Sequence, residues 1–170
     1  VRRRTILGAG VSAAVTGSLI GCAPRNPAAA RWRFFTLAEA RMVDAICEVL
    51  IPADCDPGAK AAGVVHYIDI QLTKAFRKHQ QTYRKGLAEV DATSRAKFGR
   101  TFVELSAGQQ TEVLRMVEQN AKPFFELILA HTRQGFYGDP RHGGNRNRAS
   151  WKMVGLPYPP LRGRQQYEGE

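Results

Sequence analysis

The chain has 170 residues, of which 44% are hydrophobic, and its 25 Lys and Arg outnumber 15 Asp and Glu, for a formal net charge of +10. That length supports one core of ordinary size and excludes a second domain of normal dimensions. The charge permits a nucleic acid, an anionic membrane face or an acidic protein as partner, and does not choose among them.

The first 22 residues, VRRRTILGAGVSAAVTGSLIGC, run from three arginines through an acid-free Ala/Gly/Val stretch to a cysteine. This is the order of regions in an export signal. Arg3 and Arg4, followed by Thr5, Ile6 and Leu7, resemble a twin-arginine signal, which is an address read by a receptor and not an anchor. The apolar part is short for a membrane span and broken by glycines. Leu19-Ile20-Gly21-Cys22 resembles a bacterial lipobox, in which Cys22 is acylated and the chain is cut before it. Residues 22–35 then read as a tether. Removal of residues 1–21 takes away three arginines and no acid and lowers the charge from +10 to +7. Nucleic acid is not an expected partner outside the cytoplasm; membrane lipids or an acidic protein remain.

Thr36-Leu-Ala-Glu39 has the capping-box pattern, and Val43, Ile46, Cys47 and Leu50 follow at helical spacing, so a first helix is predicted over about 37–51, ended by Pro52. Asp56-Pro57-Gly58 supplies turn chemistry. Val64, Val65, Ile68, Leu72 and Phe76 mark a second helix. Tyr83, Leu87 and Val90 carry a third, from Gln80 to the upper nineties. Ser106-Ala-Gly-Gln109 is a second capping box, ahead of Val113, Leu114 and Val117 in a fourth. Pro123 opens a fifth, in which Phe124, Phe125, Leu127, Ile128 and His131 line one side up to a stop at Gly135. No period-2 run is convincing. The predicted fold is all-α, about five helices in a bundle. The domain covers residues 36–160 with an irregular Gly/Pro/aromatic-rich extension, and 161–170 form a polar tail.

The chemistry-bearing residues are sparse. Cys47 and Cys55 either form a local disulfide, or Cys47 is a small buried residue while Cys55 stays free or pairs with another chain. Neither Cys-x-x-Cys spacing nor an adjacent histidine suggests a metal site. His66 and His131 fall beside apolar positions and read as hydrogen-bonded core or surface histidines. His79 sits in a solvated junction with Arg77 and Lys78. Asp54 and Asp56 read as turn residues. No nucleophile, base and orienting group assemble, Ser150 has no elbow around it, and no catalytic, cofactor-binding or metal-binding residue is assigned.

The stretch GFYGDPRHGGNRNRASWKMVGLPYPP, from residue 135 onward, has no helical or strand period. A segment that long without regular structure is functional or disordered, and its Trp, Met, Val and Leu content argues against disorder. Aromatic, Arg-rich and jointed by glycines, it suits lying against a surface, its own or a partner's.

Three blocks, "LIPADCDPGAKAAGVVHYID" at 50–69, "FFELILAHTRQGFYGDPRHGGNRNRASWKMVGLPYP" at 124–159 and the twin-arginine leader, together resemble the gluconate 2-dehydrogenase subunit 3 family, the small subunits of membrane-bound periplasmic sugar dehydrogenases. The resemblance implies a non-catalytic small subunit that binds a flavoprotein of the glucose-methanol-choline type. That partner holds FAD and oxidises a sugar or sugar-acid hydroxyl, and electrons often pass on to a cytochrome c subunit. It further implies support of the partner's maturation and export, and a periplasmic, membrane-associated location. Within the family-like block the large or charged groups chosen as partner interface are Phe136, Tyr137, Asp139, Arg141, Asn145, Trp151 and Lys152. Cys55 departs from the family loop, so no bridge through it is carried over. The competing expectation is a free-standing envelope lipoprotein that binds or scaffolds without a redox partner.

Overall fold

The computed structural model describes residues 32–156. Arg3, Arg4, Cys22, most of the tether and the polar tail lie outside the described residues. Those described fold into six α-helices with no strand: α1 Leu37–Leu50, α2 Val64–Leu72, α3 Gln80–Phe98, α4 Ala107–Asn120, α5 Lys122–Tyr137 and α6 Ala149–Met153. The all-α expectation holds.

Local chemistry explains most boundaries. In α1 the Glu39 backbone N–H donates to Thr36 Oγ1 at 3.2 Å and the Thr36 N–H donates to Glu39 Oε2 at 2.8 Å, the reciprocal cap expected from the sequence. Ser106 and Gln109 repeat it at α4. A third box, Thr101 with Glu104, turns the chain between α3 and α4 and buries Phe102. Gly99, at φ +67°, ends α3 in the left-handed conformation that glycine adopts without steric cost.

Two boundaries differ from expectation. α2 stops at Leu72 and does not reach Phe76. There Thr73 Oγ1 donates to the Ile70 carbonyl at 2.9 Å and Gln80 Nε2 donates to the Leu72 carbonyl at 2.8 Å, so side chains satisfy oxygens that another helical turn would use. α5 passes through Gly135 to Tyr137. A Cβ on Gly135 would stand 2.8 Å from Tyr67 Cδ1 and 3.0 Å from Val64 Cγ1. That glycine therefore serves the close approach of α2 to α5 and not helix termination.

α5 is the central element and packs against α1, α2, α3, α4 and α6. Ile46, Ile68, Leu72, Val90, Val113, Val117 and Ile128 are fully enclosed, each contributing about 1.5–3 kcal/mol by leaving water. Where α3 crosses α5, the bare Gly86 backbone meets the Phe124 ring; a Cβ there would lie 2.0 Å from Phe124 Cγ.

The expected tether ends earlier than residue 35. Asp69, in the middle of α2 and 2% exposed, accepts the backbone N–H groups of Arg33 (2.8 Å), Phe34 (2.9 Å) and Phe35 (3.0 Å). Arg84 donates to the Phe34 carbonyl at 2.9 Å, lies 4.2 Å over the Phe34 ring and pairs with Glu39. Trp32 stacks on His66. Aromatic side chains at 32, 34 and 35 bury surface that a solvated linker would leave wet, so residues 32–35 are part of the folded body.

Candidate partner-docking face

Beyond α5 the chain forms a strap, residues 138–156, built from two 3-10 turns, Pro140–His142 and Arg146–Arg148, and α6. Main-chain contacts tie it down on both sides of the α2–α5 seam. The Arg146 N–H donates to the Ala62 carbonyl at 2.9 Å, just before α2. Gly144 rests on the last turns of α5 so closely that a Cβ would stand 2.1 Å from the Gly135 carbonyl oxygen.

Inside the strap Asn145 works as a rivet. Fully buried at φ +44°, it donates through Nδ2 to the Gly138 carbonyl at 2.9 Å and accepts the Ser150 N–H on Oδ1 at 3.0 Å. Asn is among the residues that tolerate this left-handed conformation. Ser150 Oγ donates to the Phe136 carbonyl at 2.6 Å, and Trp151 Nε1 donates to the Tyr137 carbonyl at 3.0 Å. The last helical carbonyls of α5 are thus satisfied from the strap, which a long-range fold supplies and a local cap does not. The extension read as irregular from its sequence is ordered by these contacts.

The seven residues chosen for an interface separate accordingly. Phe136 and Asn145 lie inside the subunit and offer no surface to a partner, because the strap needs one as core and the other as rivet. Asp139 accepts the backbone N–H, Nε and Nη2 of Arg141 at 2.9, 2.9 and 2.7 Å, and the Arg141 guanidinium holds its carboxyl below the usual carboxylate range. Trp151 is half-buried, while Tyr137 and Lys152 are exposed. Sequence reasoning overlooked the residues just beyond Lys152. Of five large hydrophobic side chains exposed among the described residues, four are here: Tyr137 (49%), Met153 (37%), Val154 (52%) and Leu156 (56%). The signal was the apolar run Trp151-Lys-Met-Val-Gly-Leu156, which exceeds what a five-residue helix can bury. The Leu156 N–H donates to the Trp151 carbonyl at 2.8 Å, which closes the turn after α6. Arg141, Arg146, Arg148 and Lys152 are exposed in the same strap, against one acid, Asp139.

The polar groups of the core are engaged with one another. His131 stacks on Phe76 with ring centroids 3.8 Å apart, and its Nδ1 is 3.0 Å from the Tyr83 hydroxyl. Burial, with neighbouring His79 as a lesser cause, lowers His131 to about 4. His79 is edge-on to that ring and half-buried, not solvated as expected. Cys47 and Cys55 are unbridged. Cys47 faces Thr132 Oγ1 at 3.3 Å in the core, and burial pushes its thiol up to about 12. Cys55 is exposed, and with Asp54 and Asp56 it brings donor atoms within 4.8 Å of one another. There the Asp56 N–H donates to Asp54 Oδ1 at 2.9 Å, the hydrogen bond of an aspartate turn. No helix among the described residues is long and apolar enough to cross a membrane.

Four of the five large hydrophobic side chains exposed among the described residues thus fall between Tyr137 and Leu156 of this small helical body. Residues 38–157 match the family described as Gluconate 2-dehydrogenase subunit 3, and the chain belongs to that family. It is thereby an accessory subunit of a dehydrogenase complex. No curated protein and no solved structure matches the chain.

Proposed function

We propose that the chain is the non-catalytic small subunit of a periplasmic, membrane-associated sugar or sugar-acid dehydrogenase whose large subunit is a flavoprotein of the glucose-methanol-choline type. FAD belongs to that partner, and a cytochrome c subunit takes the electrons onward. The strap receives the flavoprotein: Tyr137, Met153, Val154 and Leu156 supply the apolar centre, and Arg141, Trp151 and Lys152 the rim. The twin-arginine leader, with Arg3 and Arg4, carries the folded pair out of the cytoplasm, and an acyl group on Cys22 holds it at the membrane. The observation that carries this reading is the concentration of four exposed apolar side chains on the family-matched segment.

Affinity purification of the tagged full-length chain from membranes tests it. The expected product is a yellow complex with a flavin spectrum, lost when Tyr137 and Leu156 are both changed to Ser. A colourless chain that purifies alone supports the free-standing lipoprotein instead. Deletion of residues 1–21 is expected to leave the flavoprotein in the cytoplasm, and its normal export would overturn the carrier role.

A further inference from the structure

One stretch of surface takes no part in the strap. From Ile70 to Ala88 the sequence contains no acid and five cations, Lys74, Arg77, Lys78, Arg84 and Lys85. All five are exposed. Arg84 is engaged with Glu39 and Phe34, whereas Lys74, Arg77, Lys78 and Lys85 make no ion pair among the described residues. The turn after α2 places three of them within five residues: the Arg77 N–H donates to the Lys74 carbonyl at 3.2 Å, and Lys78 follows. Lys78 and Lys85, two helical turns apart, line one cleft with Thr82, Ala121 and Pro123. Glu89 is the acid of that cleft, and Glu126 beyond it is paired with Lys122.

We infer that this face, centred on Lys74, Arg77, Lys78 and Lys85, rests on an anionic lipid surface. Two properties select lipid over an acidic protein. None of the large hydrophobic side chains exposed among the described residues falls between 70 and 88, so the face lacks the apolar centre on which a specific protein interface depends. A layer of lipid phosphates requires only clustered positive charge, with no complementary shape. The N-terminal lead is held by the same helix, since Arg84 of α3 donates to the Phe34 carbonyl. Trp32 is ten positions after Cys22, a reach of at most about 36 Å. A single acyl chain binds a bilayer only marginally, and a polybasic patch is the second attachment that makes such binding stable. That last step rests on the proposed acylation of Cys22; the lipid contact itself does not.

The test uses the whole chain carrying Cys22→Ser, so that no acyl group contributes, and sediments it with phosphatidylcholine vesicles that contain or lack phosphatidylglycerol. Binding to the anionic vesicles only, weakened by salt, is the expected result. Changing Lys74, Arg77, Lys78 and Lys85 together to Gln is expected to lower that binding by up to roughly a thousandfold. An equal change of charge at exposed Arg41, Arg100, Arg115 and Arg133 should leave it near the parent value, with helical circular dichroism unchanged in both. Equal losses in the two sets reduce the effect to net charge and overturn the inference, as does undiminished binding to phosphatidylcholine. If the fourfold variant keeps its lipid binding and instead loses the flavoprotein, the face is a protein dock. No flavoprotein enters the sedimentation, so failure there and failure of the yellow co-purification are separate results.

Discussion

The Asp69 carboxylate and the Phe35 backbone N–H, 34 residues apart in the chain, meet at 3.0 Å inside the protein. With the N–H groups of Arg33 and Phe34 on the same carboxylate, three main-chain donors converge on one buried charge. Asp69→Asn keeps the shape but turns an amide NH₂ toward these donors. It should cost about 2–4 kcal/mol, a lowered urea midpoint with unchanged slope, because buried N–H groups lose a charged acceptor.

Acid should destabilise the fold through His131. Its folded value of about 4 lies below the ordinary 6.5, so between those values the unfolded chain binds more protons than the folded one. The contribution is therefore complete above about pH 6.5 and is lost as the pH falls toward 4, by about 2–3 kcal/mol. Urea titrations from pH 4 to 7.5 measure it. His131→Gln should flatten the slope in that window while lowering stability at pH 7, since the Tyr83 hydroxyl and the stacked Phe76 ring lose their partner.

The two described cysteines should react very differently. With Cys55 exposed and the Cys47 thiol raised to about 12 in a sealed environment, a maleimide at neutral pH should label the Cys55 peptide within minutes and the Cys47 peptide only after denaturation. Peptide mapping decides. Absence of label at both positions until reductant is added would mean that a disulfide forms between them.

Strap integrity and partner grip separate by mutation. Asn145→Ala leaves the Gly138 carbonyl and the Ser150 N–H without their partner and keeps a side chain at positive φ, so it should loosen residues 138–156 by about 2–4 kcal/mol. Amide exchange should rise across the strap. Tyr137→Ser with Leu156→Ser should leave exchange rates as they were and weaken flavoprotein capture alone.

How far the sequence led is clearest at particular residues. Thr36 with Glu39 and Ser106 with Gln109 were legible because a capping box is local: four residues carry both halves of it. Gly135 was misread as a helix stop because glycine has two uses, and only the proximity of Tyr67 and Val64 reveals which applies. Asp69 drew no attention, since nothing in its own helix hints at three donors from the N-terminal lead. In the strap, Tyr137 and Lys152, chosen as large or charged groups in an unusual segment, are exposed. Phe136 and Asn145 were wrongly added, because burial is set by the long-range seating of the strap. Met153, Val154 and Leu156 were overlooked for the same reason.

The back-to-back seating of Gly144 on Gly135, with Arg146 bonded to Ala62, makes the strap conditional on the packing beneath it. Its two footholds come from distant parts of the chain and exist side by side only after α2 and α5 have joined. The surface around Trp151 therefore depends on that joint. Under the proposed docking, a companion would meet that surface only on bodies whose α2–α5 joint has closed, and the strap would serve as a certificate of completion.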